Sequence, residues 1–441
     1  MIRRDTLPIF LHYLRTRFVR RFKDRRDLEQ WQENKIQRHL AYVRRHSSFY
    51  RELWGNQPLS EWREFPIMDK QSMMDHFDQL NTVGIRKNEA IQQALEAERS
   101  RQFAPMIGDV TIGLSSGTSG NRGIFLVSRQ ERLAWAGTIL AKVLPKSLLT
   151  RQRIAFFLRA NSNLYGTVGS RKLEFVFYDL LDPIDIHVER LNKQNPTLLV
   201  APPSMLRLIA ELQQAGKLHI APERIVAVAE VLETIDRAYI EETFGSTVHQ
   251  VYQCTEGLLA TTCSHGTLHL NEDIVCIQKE YVDQRLGKFV PIVTDFSRST
   301  QPIVRYRLND LLTEQLEPCP CGSPFTAIAQ IEGRCDDVFD LLSLAGDQRI
   351  PVFPDFISRA IISASEAVEA YHAILHAPDR MEISLQLKED ILIEAKSAIY
   401  QSLQALCLRV GCRMPIIEFT PYALVPGEKK LRRVENRSKL N

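Results

Sequence analysis

Between about residues 150 and 310 the chain alternates short β-rich runs with helix-like ones, and this constrains its fold more than any other feature. Ile154 to Leu158, Leu198 to Ala201, Ile225 to Ala229 and Val248 to Tyr252 read as strands. Thr234 is expected to cap a helix that runs to Phe244, with Gly245 as its C-terminal stop. Strand, helix and strand in close succession predict a largely parallel sheet covered by helices. The last hundred residues read as a separate α+β unit. Val368 to His376 and Met381 to Leu387 are neighbouring strands, a helix carries Leu392, Ala395, Ile399, Leu403, Leu406 and Val410 up to Gly411, and Pro415 to Phe419 is a further strand. The expected class is α/β, with a large N-terminal α/β domain of mixed, largely parallel sheets and a small C-terminal α+β domain. The boundaries are a basic extension over 1–35, the large domain over 36–335 and the small one over 336–441.

Length and composition fit that division. The chain has 441 residues, 44% apolar and 25% charged, which suits an ordinary globular protein of more than one domain. No apolar run reaches membrane-span length, and Leu7 to Leu11 is too short for a signal-peptide core, so a cytoplasmic location is expected. Eight cysteines in a chain this long argue for reduced thiols or a metal site rather than a disulfide scaffold. The net charge of +3 hides an asymmetry, because residues 1–52 hold 14 Lys/Arg against 6 Asp/Glu. Ile9, Phe10, Leu11, Tyr13, Leu14 and Phe18 mix there with Arg15, Arg17, Arg20, Arg21 and Lys23. Such a segment either packs on its own domain or, through residues 1–25, makes peripheral contact with an anionic membrane. No zinc-finger or RNA-binding signature accompanies the charge, so nucleic acid is not an expected partner. A helix over about 28 to 45 would turn Leu28, Trp31, Ile36, Leu40 and Val43 to one side.

The stretch richest in chemistry is Ser115-Ser116-Gly117-Thr118-Ser119-Gly120-Asn121-Arg122-Gly123. Its glycines let main chain approach an anion closely, and successive N–H groups can cradle phosphate oxygens. It is not a Walker loop, since no Gly-Lys-Ser/Thr follows. Downstream come Ala229-Glu230 at a strand end, Tyr252-Gln253-Cys254-Thr255-Glu256-Gly257, Arg305-Tyr306-Arg307-Leu308-Asn309-Asp310 and Gly333-Arg334-Cys335-Asp336-Asp337. Cys263, His269, Cys319 and Cys321 are soft N/S donors that can close a tetrahedral Zn²⁺ site. Against this, Cys319-x-Cys321 is not the usual two-residue spacing, His265 competes with His269, and the alternative for His269 is service in thiol chemistry or in structure.

In this order and spacing the motifs resemble the adenylate-forming superfamily of acyl-CoA synthetases. The closer resemblance is to phenylacetate-CoA ligases and the related CapK and deazaflavin-adenylylating synthetases. It is carried by Ser48-Phe49-Tyr50-Arg51, Phe65-Pro66-Ile67-Met68-Asp69-Lys70, Leu268-His269-Leu270-Asn271-Glu272-Asp273, and Cys319-Pro320-Cys321-Gly322 followed by the Gly333 motif. The chain departs from the family pattern at Asn121-Arg122, where Lys-Pro is common, and at Gln253, where Gly is usual.

The resemblance implies MgATP-dependent attack of a carboxylate on the α-phosphorus, giving an acyl-AMP that passes to the thiol of CoA. Alternatives are acyl transfer to a carrier-protein phosphopantetheine, AMP transfer to a hydroxyl, and a nucleotide-binding module docked at a membrane without turnover. By position, the loop from Ser115 through Ser116, Gly117, Thr118, Ser119 and Gly120 would hold phosphates, and Thr255 would contact the α-phosphate. Glu256 would ligate Mg²⁺, and Asp310 with Arg334 would take the ribose. Ala229, Glu230 and Tyr252 would border adenine. Gln253, with Tyr165 and Gly166 in the stretch 161–170, would line the acyl pocket, where an aryl acid is favoured. Lys430 would bridge carboxylate and phosphate from a small lid domain that rotates about Asp336.

Overall fold

The computed structural model describes residues 5–100, 105–115, 123–158, 172–388, 392–423 and 432–438. Its centre is a twelve-stranded sheet. Five parallel strands form one side, in the order Leu173–Asp179, Gln152–Leu158, Leu198–Ala201, Arg224–Ala227 and Val248–Cys254. Leu198–Ala201 is buried at every position, as expected of a strand with helices on both faces. Antiparallel strands continue the sheet from Gly257–Thr262 through Leu268–Leu270, Ala327–Arg334 and Asp310–Glu314 to Lys288–Asp295 and Val275–Asp283. The α/β class is as expected; the antiparallel half is larger than the strand-helix alternation implied.

The helix Thr234–Phe244 ends at Gly245 with φ 62, but its cap is Glu233 rather than Thr234. The strand expected to reach Ala229 stops at Ala227, because Ala229 turns into the left-handed region with φ 67. The N-terminal helix Arg25–His46 buries Gln32 instead of Trp31. The Gln32 amide reaches two main-chain carbonyls, Glu272 at 2.7 Å and Val275 at 3.1 Å, so a polar side chain is satisfied there without water.

The basic N-terminal segment lies on the body of the protein. Helix Thr6–Leu14 crosses helix Arg129–Val143 at Gly137, where a Cβ would come within 2.5 Å of His12 Cβ and the Ile9 carbonyl. Asp273 accepts from Lys142 at 2.9 Å and Arg20 at 3.3 Å, and Glu272 accepts from Arg25 at 2.7 Å. Acid groups some 250 positions away in the chain thus answer part of the local positive charge. Among the described residues, no helix is long and apolar enough to cross a membrane.

At the other end, a four-stranded sheet and helix Leu392–Val410 enclose a core of their own around Tyr371, Ile383, Ile399 and Leu403. Strands Val368–Ala377 and Arg380–Leu387 pair antiparallel, with Ile416–Pro421 and Val434–Asn436 added parallel at the two edges. Arg432 and Arg433 tie the end of the chain down: Arg432 pairs with Asp337 and buried Arg433 with buried Asp236.

Candidate active site

A cleft of about 2200 Å³ opens beside the carboxyl ends of the sheet strands and is also lined by His372, Arg432 and Glu435 of the C-terminal unit. Ligand pockets usually measure roughly 300–1,000 Å³, so this volume accommodates more than one small substrate.

The base of the Gly/Ser loop lies on one wall. Ser115 leaves strand Val110–Leu114, and its N–H donates to the Gly123 carbonyl while the Gly123 N–H donates to Ser115 Oγ, both at 2.7 Å. These two bonds close the loop at its neck. Ser116, Gly117, Thr118, Ser119 and Gly120 lie outside the described residues, as do Tyr165, Gly166 and Lys430.

Thr255 and Glu256 form the two-residue turn between the paired strands Val248–Cys254 and Gly257–Thr262. The turn is tight against its neighbours, since a Cβ on Gly257 would sit 2.9 Å from Asp295 Oδ2. Arg298 donates to the Thr255 carbonyl and, at 3.1 Å, to that of Leu126, tying the turn to the strand that leaves the Gly/Ser loop. Thr255 Oγ1 donates to Glu256 Oε2 at 2.8 Å. The Tyr306 hydroxyl also donates to Glu256, and burial together with that carboxylate pushes its proton affinity far above the ordinary.

Lys70 stands at the same place, a residue the motifs contained but to which they gave no role. Residues Phe65–Lys70 are pinned to a distant strand: Met68 N–H donates to the Arg305 carbonyl at 2.9 Å and its carbonyl accepts from Arg307 N–H at 2.8 Å. Behind them Tyr50, Trp54 and Phe65 stack at 4.9 and 4.8 Å, so the two N-terminal motifs pack on each other. A Cβ on Gly123 would be 3.2 Å from Lys70 Cε, placing this stem against the loop neck. Burial pushes the Lys70 ammonium down; Glu256 opposes this and Arg334 adds to it.

On the opposite wall Tyr252 donates its hydroxyl to Asp310, and burial with that neighbouring charge raises the Tyr252 pKa well above normal. Asp310 is paired across the strands with Arg334. Arg334 reaches Asp336 at 3.3 Å, and Asn309 donates to the same carboxylate oxygen. Asp336 sits in the short turn Cys335–Asp337 that joins the large sheet to the C-terminal unit. Ala229 and Glu230 form the rim, where Glu230 accepts from the Ser204 N–H at 3.2 Å. Holding a Cβ residue at φ 67 costs of order 1–3 kcal/mol. Gln253 faces the cleft with its Oε1 accepting from Trp135 Nε1 at 3.1 Å. Cys263, His269, Cys319 and Cys321 assemble elsewhere, within 4.8 Å of one another and outside the cleft lining. The Leu268–Asp273 motif is structural: Asn271 bonds Leu258 and Thr261, and its two acids hold Arg20 and Arg25 of the N-terminal segment.

No family model matches the chain. It is 21% identical over 407 residues to the phenylacetate-coenzyme A ligase of Thermus thermophilus, covering 84% of each. It is 22% identical over 334 residues to Protein CapK of Staphylococcus aureus, covering 72% of this chain and 70% of that one. Among solved structures, 2-hydroxyisobutyryl-CoA ligase in complex with 2-HIB-AMP superposes with a TM-score of 0.70 at 16% identity, covering 96% of this chain and 92% of that one. The fold and the relatives make this chain an adenylate-forming ligase. Within that superfamily its curated relatives support a likeness to the phenylacetate-CoA ligase-like branch.

Proposed function

We propose that the chain activates an aryl carboxylic acid as its acyl-adenylate and transfers the acyl group to CoA. The observation that carries this reading is one cleft onto which the neck of the Gly/Ser loop, Lys70, Glu256 and the Asp310–Arg334 pair all open. Asp310 accepts from the ribose hydroxyls with Arg334 beside it, and Ala229, Glu230 and Tyr252 frame the adenine. The substrate carboxylate attacks the α-phosphorus; an O–P bond forms, the bond to the β-phosphate oxygen breaks, and pyrophosphate leaves. Charge builds on phosphoryl oxygens, so fixed cations and N–H donors do most of the work. Lys70 and the loop meet the leaving pyrophosphate, Thr255 the α-phosphate, and Lys430 bridges carboxylate and α-phosphate. Glu256 suits a hard cation, since its carboxylate faces the cleft and is oriented by Thr255 and Tyr306. Mg²⁺ held there would offset phosphate charge. CoA thiolate then attacks the acyl carbonyl and AMP departs, after residues 336–441 rotate against 36–335 about Asp336. Trp135, Phe156 and Phe175 on the cleft wall favour an aromatic acid.

The test is ATP–pyrophosphate exchange over a panel of aryl, hydroxyaryl and fatty acids, followed by AMP release with and without CoA. Exchange with an aryl acid, and AMP release accelerated at least tenfold by CoA, are expected. AMP found on a hydroxyl of the substrate, or acceleration only by a phosphopantetheinyl carrier protein, would replace the CoA step. A peripheral role at a membrane rests on Leu7, Leu11, Phe18 and Val19, which are 56–71% exposed among the N-terminal arginines. Liposome co-sedimentation of the chain with and without residues 1–25 tests it.

A further inference from the structure

We propose that Cys263, His269, Cys319 and Cys321 form a structural zinc site that staples together the two hairpins whose other ends build the cleft. The four donor atoms lie within 4.8 Å of one another. Cys263 Sγ is 3.8 Å from Cys319 Sγ, and Cys321 Sγ is 3.4 Å from His269 Nε2. A tetrahedral ion with Zn–S near 2.3 Å and Zn–N near 2.0–2.1 Å requires S···S of about 3.8 Å and S···N of about 3.5 Å. The spacings match both values.

The surroundings fit a metal as well as the ligands do. His269 is buried and its Nδ1 lies 3.0 Å from the Phe325 carbonyl. Donating there places the proton on Nδ1 and leaves the Nε2 lone pair facing the sulfurs, the tautomer a zinc ligand needs. The His265 main-chain N–H points at Cys263 Sγ from 3.4 Å, which supports a thiolate, while the His265 ring stays outside the set. Four protein donors fill a tetrahedron, so the site is closed and structural rather than catalytic. A disulfide explains less: the Cys263 and Cys319 sulfurs stand well beyond the bonded distance of about 2.05 Å, and a bridge would leave the Cys321–His269 approach without a reason.

Placement gives the site its consequence. Cys263 and His269 lie on the hairpin of Gly257–Thr262 and Leu268–Leu270, which starts at the Glu256 turn. Cys319 and Cys321 lie in the connection from Asp310–Glu314 to Ala327–Arg334, the strands that begin with Asp310 and end with Arg334. That connection has no regular structure of its own between 315 and 326, yet it seats Phe325 against Phe22 and offers the Thr326 N–H to Glu272. A metal at its middle fixes a loop of a length that otherwise needs a staple.

The test is metal content of the untagged full-length chain, purified without chelator and measured by plasma mass spectrometry. About one zinc per chain is expected, retained in Cys276→Ser and lost almost entirely in the Cys319→Ser/Cys321→Ser double variant. Replacement by Co²⁺ should give the intense visible bands of tetrahedral cobalt with thiolate charge transfer. These readouts do not depend on activity, so they stand or fall separately from the adenylation reading. A folded chain that holds no zinc and gives no tetrahedral cobalt spectrum overturns the proposal. So does zinc retained by the double variant, or a Cys263–Cys319 disulfide in the freshly isolated protein.

Discussion

Cutting the ion pair between Arg433 and Asp236 measures how firmly the C-terminal sheet is held on the helix beneath it. The two residues are 5% and 1% exposed, and the guanidinium meets the carboxylate at 2.6, 2.7 and 3.2 Å. Burial alone would lower the Arg433 pKa, but Asp236 lifts it above the ordinary value. Removing one member leaves the other charged, buried and uncompensated, which costs about 3–5 kcal/mol. Asp236→Ala and Arg433→Met should each lose that much. The double variant should lose less than the sum, giving a coupling of about 2 kcal/mol or more in a double-mutant cycle. The assay has to report on the right region. All four tryptophans, at 31, 54, 62 and 135, precede the parallel strands, so their fluorescence is blind to the C-terminal sheet. Hydrogen exchange of the slowest amides in Val368–Ala377 reads it directly. Singles within about 0.5 kcal/mol of the parent and no coupling would refute the claim that this pair is desolvated and holds the units together.

Three further outcomes are expected. Lys70→Met should lower ATP–pyrophosphate exchange about 10²-fold while leaving thiolysis of a supplied acyl-adenylate near the parent rate; equal loss of both would assign Lys70 a merely structural part. Lys430→Ala should lower adenylate formation by at least about 10²-fold and likewise spare thiolysis, which single-turnover kinetics on each half-reaction will decide. Asp295 is buried and its pKa is raised from 3.8 to about 6. The folded chain therefore holds that proton to higher pH than the unfolded one. Its stabilising effect is complete below about pH 4 and lost by about pH 6, a span of about 3 kcal/mol. Urea midpoints of Asp295→Asn should lack this fall, and an identical pH profile in parent and variant would contradict it.

Four of the five parallel strands were legible because each is a short apolar run, and Leu198–Ala201 lies where its composition places it; Leu173–Asp179, the fifth, was not. Val434–Asn436 was not, since three residues carry no periodicity and pair only through a neighbour more than sixty positions earlier. Thr255, Glu256, Asp310 and Arg334 were legible as motif residues, and the structure brings them to one cleft. Lys70 was visible only as a letter in a motif. Its position depends on Met68 meeting Tyr306, a contact between segments far apart in the chain. The N-terminal charge left packing on the protein and contact with a membrane both open, because Glu272 and Asp273 that answer it come from the far side of the sequence.

Under the proposed function, in which the Glu256 turn and the Gly/Ser loop meet the nucleotide, Arg298 has a bearing on affinity. By gripping the Thr255 and Leu126 carbonyls with one planar fork, it makes the Glu256 turn and the exit strand of the Gly/Ser loop parts of a single rigid frame. The freedom those two segments would otherwise surrender on capturing a nucleotide is surrendered when the chain folds. Binding then draws less on the ligand's own interactions to impose order, and more of them remain for the charge that develops as pyrophosphate departs.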